Sequence, residues 1–159
     1  EFYSLENLEA ILLRSAKVLD VPLDRKASKI IAERARGTPR VANKLLRRAR
    51  DYAQVRKSGT IDEASALEAM KELEIDEEGL DAMDRKILLT ILDQFKGGPV
   101  GLEALGATLG EDPGTLEDMY EPHLLQKGFL IRTPSGRKAG EKAYSHLSRA
   151  VPAGSRSLF

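Results

Sequence analysis

Two short strings carry the residue types that chemistry on phosphates requires. In the first, Gly37-Thr38-Pro39-Arg40, a bend, a capping hydroxyl and a proline precede an arginine. Thr-Pro reads as N-cap and first helical position, which fixes Arg40 at a helix start. A guanidinium held there reaches out of its own domain towards an anionic oxygen on another surface. On this string alone, a solvated helix-start arginine is the commoner meaning. Arg47, Arg48 and Arg50 follow on the same segment and read as surface groups, some of them in ion pairs. The second string is Arg132-Thr133-Pro134-Ser135-Gly136-Arg137-Lys138, three cations around a turn that Pro134 and Gly136 make compact. Such a turn suits a nucleic-acid backbone, and a solvated hairpin fits the spacing equally well. If Arg132 and Arg137 each neutralise one phosphate, together they account for roughly two released counterions.

Little else in the chain has the chemistry of a reaction centre. Tyr3 precedes the first helix and is either a core-edge aromatic, the reading its position favours, or a flat partner for a ring ligand. His123 and His146 are single and far apart in sequence, so neither is offered as a metal ligand or a base. Cysteine is absent, which excludes disulfides, a thiol nucleophile and Cys-ligated zinc. No Ser/His/Asp set, no paired acid and base, and no Gly-x-x-x-x-Gly-Lys-Ser/Thr loop occurs in the 159 residues.

The formal net charge of zero conceals segregation. Residues 25–57 hold twelve Lys/Arg against two Asp/Glu, residues 58–121 hold four against seventeen, and residues 122–159 hold seven against one. Two basic blocks around an acidic stretch raise the expectation of a polyanionic partner, although each block alone reads as a solvated face. With 42% hydrophobic residues the chain has material for a core. No run approaches the roughly 18 apolar residues of a membrane span, and no leader precedes Glu1-Phe2-Tyr3, so no membrane and a reducing cytoplasm are expected. The opening without methionine, in the middle of a pattern, reads as a fragment.

The elements that must position these strings are mostly helical. Ser4 caps a helix to about Leu19, with Leu5, Leu8, Ile11, Leu12, Ala16 and Leu19 on one face. Pro22 and Asp24 restart the pattern through Ala27, Ile30, Ile31 and Ala35, and Gly37 fits the left-handed position after a helix end. A long helix from Thr38-Pro39 to about Lys57 and another over roughly 62–73 complete a four-helix unit. Residues 74–79 are acidic, end in glycine, and read as a connector. Beyond them, Met83 to Phe95 forms one helix and Val100-Gly101-Leu102 a short strand before a helix through Leu109. Asp112-Pro113 opens a helix to about Lys127, followed by a strand at 129–133 and the basic turn. Three helices, a strand and a basic turn are the order of a winged helix-turn-helix. Residues 151–159 read as a flexible tail.

Several strings, in order, resemble the bacterial RuvB Holliday-junction branch-migration motors. They are Arg34 to Asn43, Leu45-Leu46-Arg47-Arg48, Met83-Asp84-Arg85-Lys86, Gly97 to Leu102, Glu121-Pro122, and Gly128 to Pro134. The resemblance runs from Glu1 to about Leu147 and concerns the C-terminal part of that family. It implies a mainly α fold: a helical AAA+ lid at 1–75, a connector at 76–79, and a winged helix with a small β-wing at 80–150. The nucleotide-binding domain, with its Walker segments, its arginine finger and its magnesium, is implied to lie before Glu1, so this chain alone is expected to be inactive.

The same resemblance assigns residues. Arg40 takes the place of sensor 2, which touches the phosphates of ATP, and Tyr3 and Pro39 lie beside the adenine. Arg132 and Arg137, with Lys138 next to them, take the place of the DNA contact. Ser135 stands where many members carry arginine, leaving the wing one cation poorer. The implied partners are duplex DNA at Holliday junctions, identical copies in a hexameric ring, and the junction-recognising RuvA, docked on the preceding domain. The lid is implied to move on hydrolysis and to pass that motion through 74–79. A stand-alone winged-helix regulator would explain 80–147 but gives Gly37 to Arg40 no task. A helical adaptor leaves the basic wing unexplained.

Overall fold

The computed structural model describes residues 2–149, so the tail expected at 151–159 lies outside the described residues. The chain packs as two units, divided between Asp81 and Ala82.

The first unit contains α1 (Leu5–Val18), α2 (Arg25–Arg34), α3 (Pro39–Val55) and α4 (Glu63–Glu72). Each begins on a side chain able to satisfy a free backbone N–H. Ser4, Asp24, Thr38 and Asp62 accept from Asn7, Ala27, Val41 and Ser65, and Ser65 returns a bond to Asp62 N–H to close a capping box. The Ser65 bonds hold the Asp62 carboxyl below the usual aspartate value. The apolar spacing read from the sequence becomes a common core in which Leu8, Leu12, Ile31, Leu45, Leu46 and Ile61 are essentially buried. Each such side chain contributes about 1.5–3 kcal/mol by leaving water. Leu5, expected on the inward face of the first helix, instead lies 50% exposed, and Leu67 on α4 is exposed as well. Ile61 also bridges Leu23, and its N–H donates to Pro22 O at 2.8 Å, so the α1–α2 and α3–α4 connections lie side by side.

The acidic stretch at 74–79 is fastened to this unit. Asp76 Oδ1 accepts from the N–H groups of Glu78 and Leu80, and Arg34 Nε donates to the Asp76 carbonyl at 3.1 Å.

The second unit runs α5 (Ala82–Gln94), α6 (Leu102–Leu109), a third helical segment, then β1 (Leu130–Thr133), β2 (Gly136–Ala139) and α9 (Glu141–His146). Ile87, Leu88, Ile91, Leu105, Leu116, Leu124 and Phe129 are among its buried residues. The expected strand at Val100 is reduced to one antiparallel bridge with Arg137. The short α9, capped only by glycine, gives no periodic signal and was not expected.

The third helical segment differs from the uninterrupted helix expected to Lys127. It is a turn of α7 (Pro113–Thr115), a π-helical turn at Leu116–Tyr120, and α8 (Glu121–Gln126). Glu121 N–H donates five residues back, to Leu116 O. Pro122 supplies the reason: it has no N–H for an α-type bond to Asp118, and its ring crowds that carbonyl. In a continuous α-helix Met119 or Tyr120 would share the face of Leu116. Instead Met119 is 66% exposed, and the next fully buried residue is Glu121.

Candidate functional site

The chain doubles back sharply between α2 and α3. Arg36 and Gly37 both adopt left-handed φ values, +58° and +70°. Gly37 is required twice over, since a Cβ there would lie 2.6 Å from the Phe2 ring. The carbonyl of Gly37 accepts from Tyr3 N–H at 2.8 Å, which pins the incoming chain against the first turn of α3. Tyr3 is not the core-edge aromatic that its position favoured, because it is 48% exposed.

Tyr3 and Pro39 line one cavity of about 590 Å³ between α1 and α3, with Ile11, Val18, Leu19 and Leu46 supplying further apolar wall. That volume lies within the range of small-molecule sites. Arg14, Arg47 and Asn43 also line it, and Asn43 Oδ1 accepts from Ser15 Oγ at 2.7 Å. Arg47 is expected as a surface group, and nothing local marks Arg14 or Asn43 as lining a site. Arg40 is exposed on the first turn of α3, next to the cavity but outside its lining. It takes part in no ion pair among the described residues. Other members of the basic block are engaged: Arg48 with Glu72 at 3.2 Å, Arg56 with Glu68 at 3.0 Å, and Arg50 with Asp51 at 3.6 Å. These exposed pairs add little stability, but they make the bland reading right for those residues.

At the wing, β1 and β2 pair antiparallel, with Arg132 opposite Arg137 and Ile131 opposite Lys138. Both guanidiniums converge on Glu121, a residue that sequence reasoning gave no role. Arg132 donates through Nε at 3.1 Å and also through Nη2 to Glu121 Oε1. Arg137 donates through Nη2 to Oε1 and through Nε to Oε2, each at 3.0 Å. The Glu121 side chain is 2% exposed, that of Arg137 15%, and that of Arg132 53%. Glu121 holds the Arg132 guanidinium above its ordinary pKa, through the hydrogen bonds first and the charge second. Arg132 and Arg137 are therefore brought together, with Arg137 mostly covered and Arg132 the exposed arginine of the pair, whereas Lys138, opposite Ile131, falls on the other face of the ribbon. No group of acidic or histidine residues able to hold a metal occurs among the described residues.

A four-helix lid that starts its third helix with an exposed arginine, followed by a winged helix with a basic hairpin, defines a class: the lid and winged-helix portion of an AAA+ ATPase. Family comparison narrows it. Residues 3–76 match the RuvB AAA lid domain and residues 77–148 the RuvB C-terminal winged helix domain, and the chain belongs to the RuvB family. It is 54% identical over 150 residues to the Holliday junction branch migration complex subunit RuvB of Parabacteroides distasonis, covering 94% of this chain and 44% of that protein. To the subunit of the same name from Salinibacter ruber it is 51% identical, over all of this chain and 46% of the relative. The solved Thermotoga maritima RuvB Holliday junction branch migration motor matches with a TM-score of 0.93 and 50% identity, over 96% of this chain and 51% of that one. The chain thus spans about half the length of the relatives it matches.

Proposed function

We propose that this chain is the nucleotide-sensing lid and DNA-contacting winged helix of an ATP-driven motor for Holliday-junction branch migration. In this reading residues 1–75 form the lid, 76–79 the connector and 80–150 the winged helix. The observation that carries it is the corner at Gly37 to Arg40, where Tyr3 and Pro39 line one apolar cavity and an exposed arginine, in no ion pair among the described residues, stands on the same helical turn. An adenine ring fits apolar walls with one aromatic face, and Arg40 is placed to meet phosphate oxygens presented by a preceding ATPase domain, which also holds the magnesium. Because 74–80 is tied to α2 through Arg34 and Asp76, a movement of the lid carries that segment with it. The ring of six copies, the RuvA partner docked on the preceding domain, and a cytoplasmic location belong to the same reading. No helix of the described residues is long and apolar enough to cross a membrane. Without a phosphate-binding loop the chain alone hydrolyses no ATP.

The wing is the DNA contact in this reading. The third helical segment, which in many winged helices enters the major groove, carries the exposed Glu117 and Asp118, and so repels phosphates. A stand-alone regulator that reads bases with this helix is disfavoured for the same reason.

The test is Arg40→Ala in the protein that carries this chain downstream of its P-loop domain. Losing a donor that meets charge in the transition state costs ~3 kcal/mol, or about a hundredfold in turnover, with a smaller change in nucleotide affinity. Wild-type turnover in that variant rejects the assignment of Arg40.

A further inference from the structure

The two wing arginines are not two independent charges. One buried carboxylate receives four hydrogen bonds from them, using both of its oxygens. Glu117 Oε1 lies a further 3.8 Å from Arg137 Nη2. We propose that Glu121 is a positioning residue for the DNA contact, which holds Arg132 and Arg137 as one rigid unit of net charge +1 and thereby limits how tightly the wing grips a phosphate backbone. This rests on the reading of the wing as the DNA surface.

The physical argument has three steps. Both guanidiniums stay charged at any working pH, so their sum is fixed at +2. A carboxylate enclosed by two of them subtracts one charge directly beneath the surface that faces DNA, where water screens it least. Counterion release scales with the phosphates neutralised, so the pair accounts for about one phosphate instead of the two that its sequence implies. The π-helical turn is what makes this possible. It brings Glu121 inward beneath β1 and β2, where an uninterrupted α-helix would have placed Met119 or Tyr120. A contact limited in this way is easily made and released, as a protein moving along DNA requires.

The experiment is titration of the full chain with duplex DNA from about 50 to about 200 mM salt. Glu121→Gln keeps the shape of the side chain and restores the second charge. The log–log salt slope should steepen by about 0.9, which makes binding several-fold tighter at the low-salt end. Glu121→Asp, which keeps the charge, should keep the wild-type slope. An unchanged or shallower slope in Glu121→Gln overturns the proposal. Should that variant fail to fold, Arg137→Gln decides: it leaves Arg132 and Glu121 as a neutral pair, so a slope shallower by about 0.9 supports the proposal, and a wild-type slope overturns it. Arg132→Ala separates this idea from its premise. If that variant binds like wild type, the wing is not the DNA surface and both readings fall; if it loses affinity while Glu121→Gln keeps the wild-type slope, only the role of Glu121 falls.

Discussion

Gly136→Ala tests whether the wing is held against the loop before α6. Gly136 has φ +134°, a conformation that L side chains rarely adopt, at an expected cost of ~1–3 kcal/mol. Space is a second obstacle. A Cβ there would lie 2.5 Å from the carbonyl oxygen of Val100, 2.6 Å from its carbon and 2.9 Å from Gly101 N, all backbone atoms that cannot rotate aside. Relief requires the wing and the loop to part. That stretches the two bonds beside the contact, Val100 N–H to Arg137 O at 2.8 Å and Arg137 N–H to Val100 O at 2.7 Å. At ~1 kcal/mol each they bring the total to about 3–5 kcal/mol. Denaturant unfolding measures that loss, and amide hydrogen exchange locates it. Val100 and Arg137 should lose protection while Leu12 and Ile31 keep theirs. A destabilisation below ~1 kcal/mol, with both wing amides still protected, refutes the close approach.

The two wing arginines should separate experimentally. Each arginine gives two bonds to the buried Glu121, so burial separates them. Arg132→Ala should reduce the salt slope of duplex binding by about 0.9 with the smaller loss of stability, because water can replace an exposed guanidinium. Arg137→Ala should cost about 3 kcal/mol in denaturant unfolding, because it leaves the Oε2 of that carboxylate without its donor where water is excluded. The Asp62 cap gives a pH signature. Its folded pKa is depressed, so its contribution is complete above the ordinary aspartate value of about 4 and is lost as the pH falls through the lower folded value. Asp62→Ala should therefore cost ~1 kcal/mol at neutral pH, and the gap from wild type should close on acidification, as followed by helical circular dichroism.

Helix starts were legible because capping chemistry is local: Ser4, Asp24, Thr38 and Asp112 each announce an N-terminus in one residue, and each accepts the expected backbone bond. The four-helix core followed from the spacing of Leu8, Leu12, Ile31 and Leu45. Arg40 was legible as a helix-start cation, since Thr38-Pro39 sets its position without help from the rest of the fold. What escaped the sequence depended on partners far along the chain. Nothing around Glu121 says that Arg132 and Arg137, eleven and sixteen residues later, will enclose it. Nothing around Tyr3 says that its N–H will bond to Gly37 and leave the ring beside Pro39 rather than in the core. Even α9 has only six residues, too few for a period to emerge.

The π-helical turn also has a bearing on how this segment tolerates insertions and deletions. A helix advances about 100° per residue, so one residue more or less rotates everything downstream by that angle. The Leu116–Tyr120 turn acts as a phase shift already present in the chain. Removing a single residue there would let the hydrogen bonds return to ordinary α register, and helicity alone would register little harm. The same deletion would put Glu121 four residues after Leu116, still on its face, so the carboxylate would keep its place beneath Arg132 and Arg137. A one-residue change elsewhere in the segment would swing it roughly a quarter-turn away and disconnect the wing from its support.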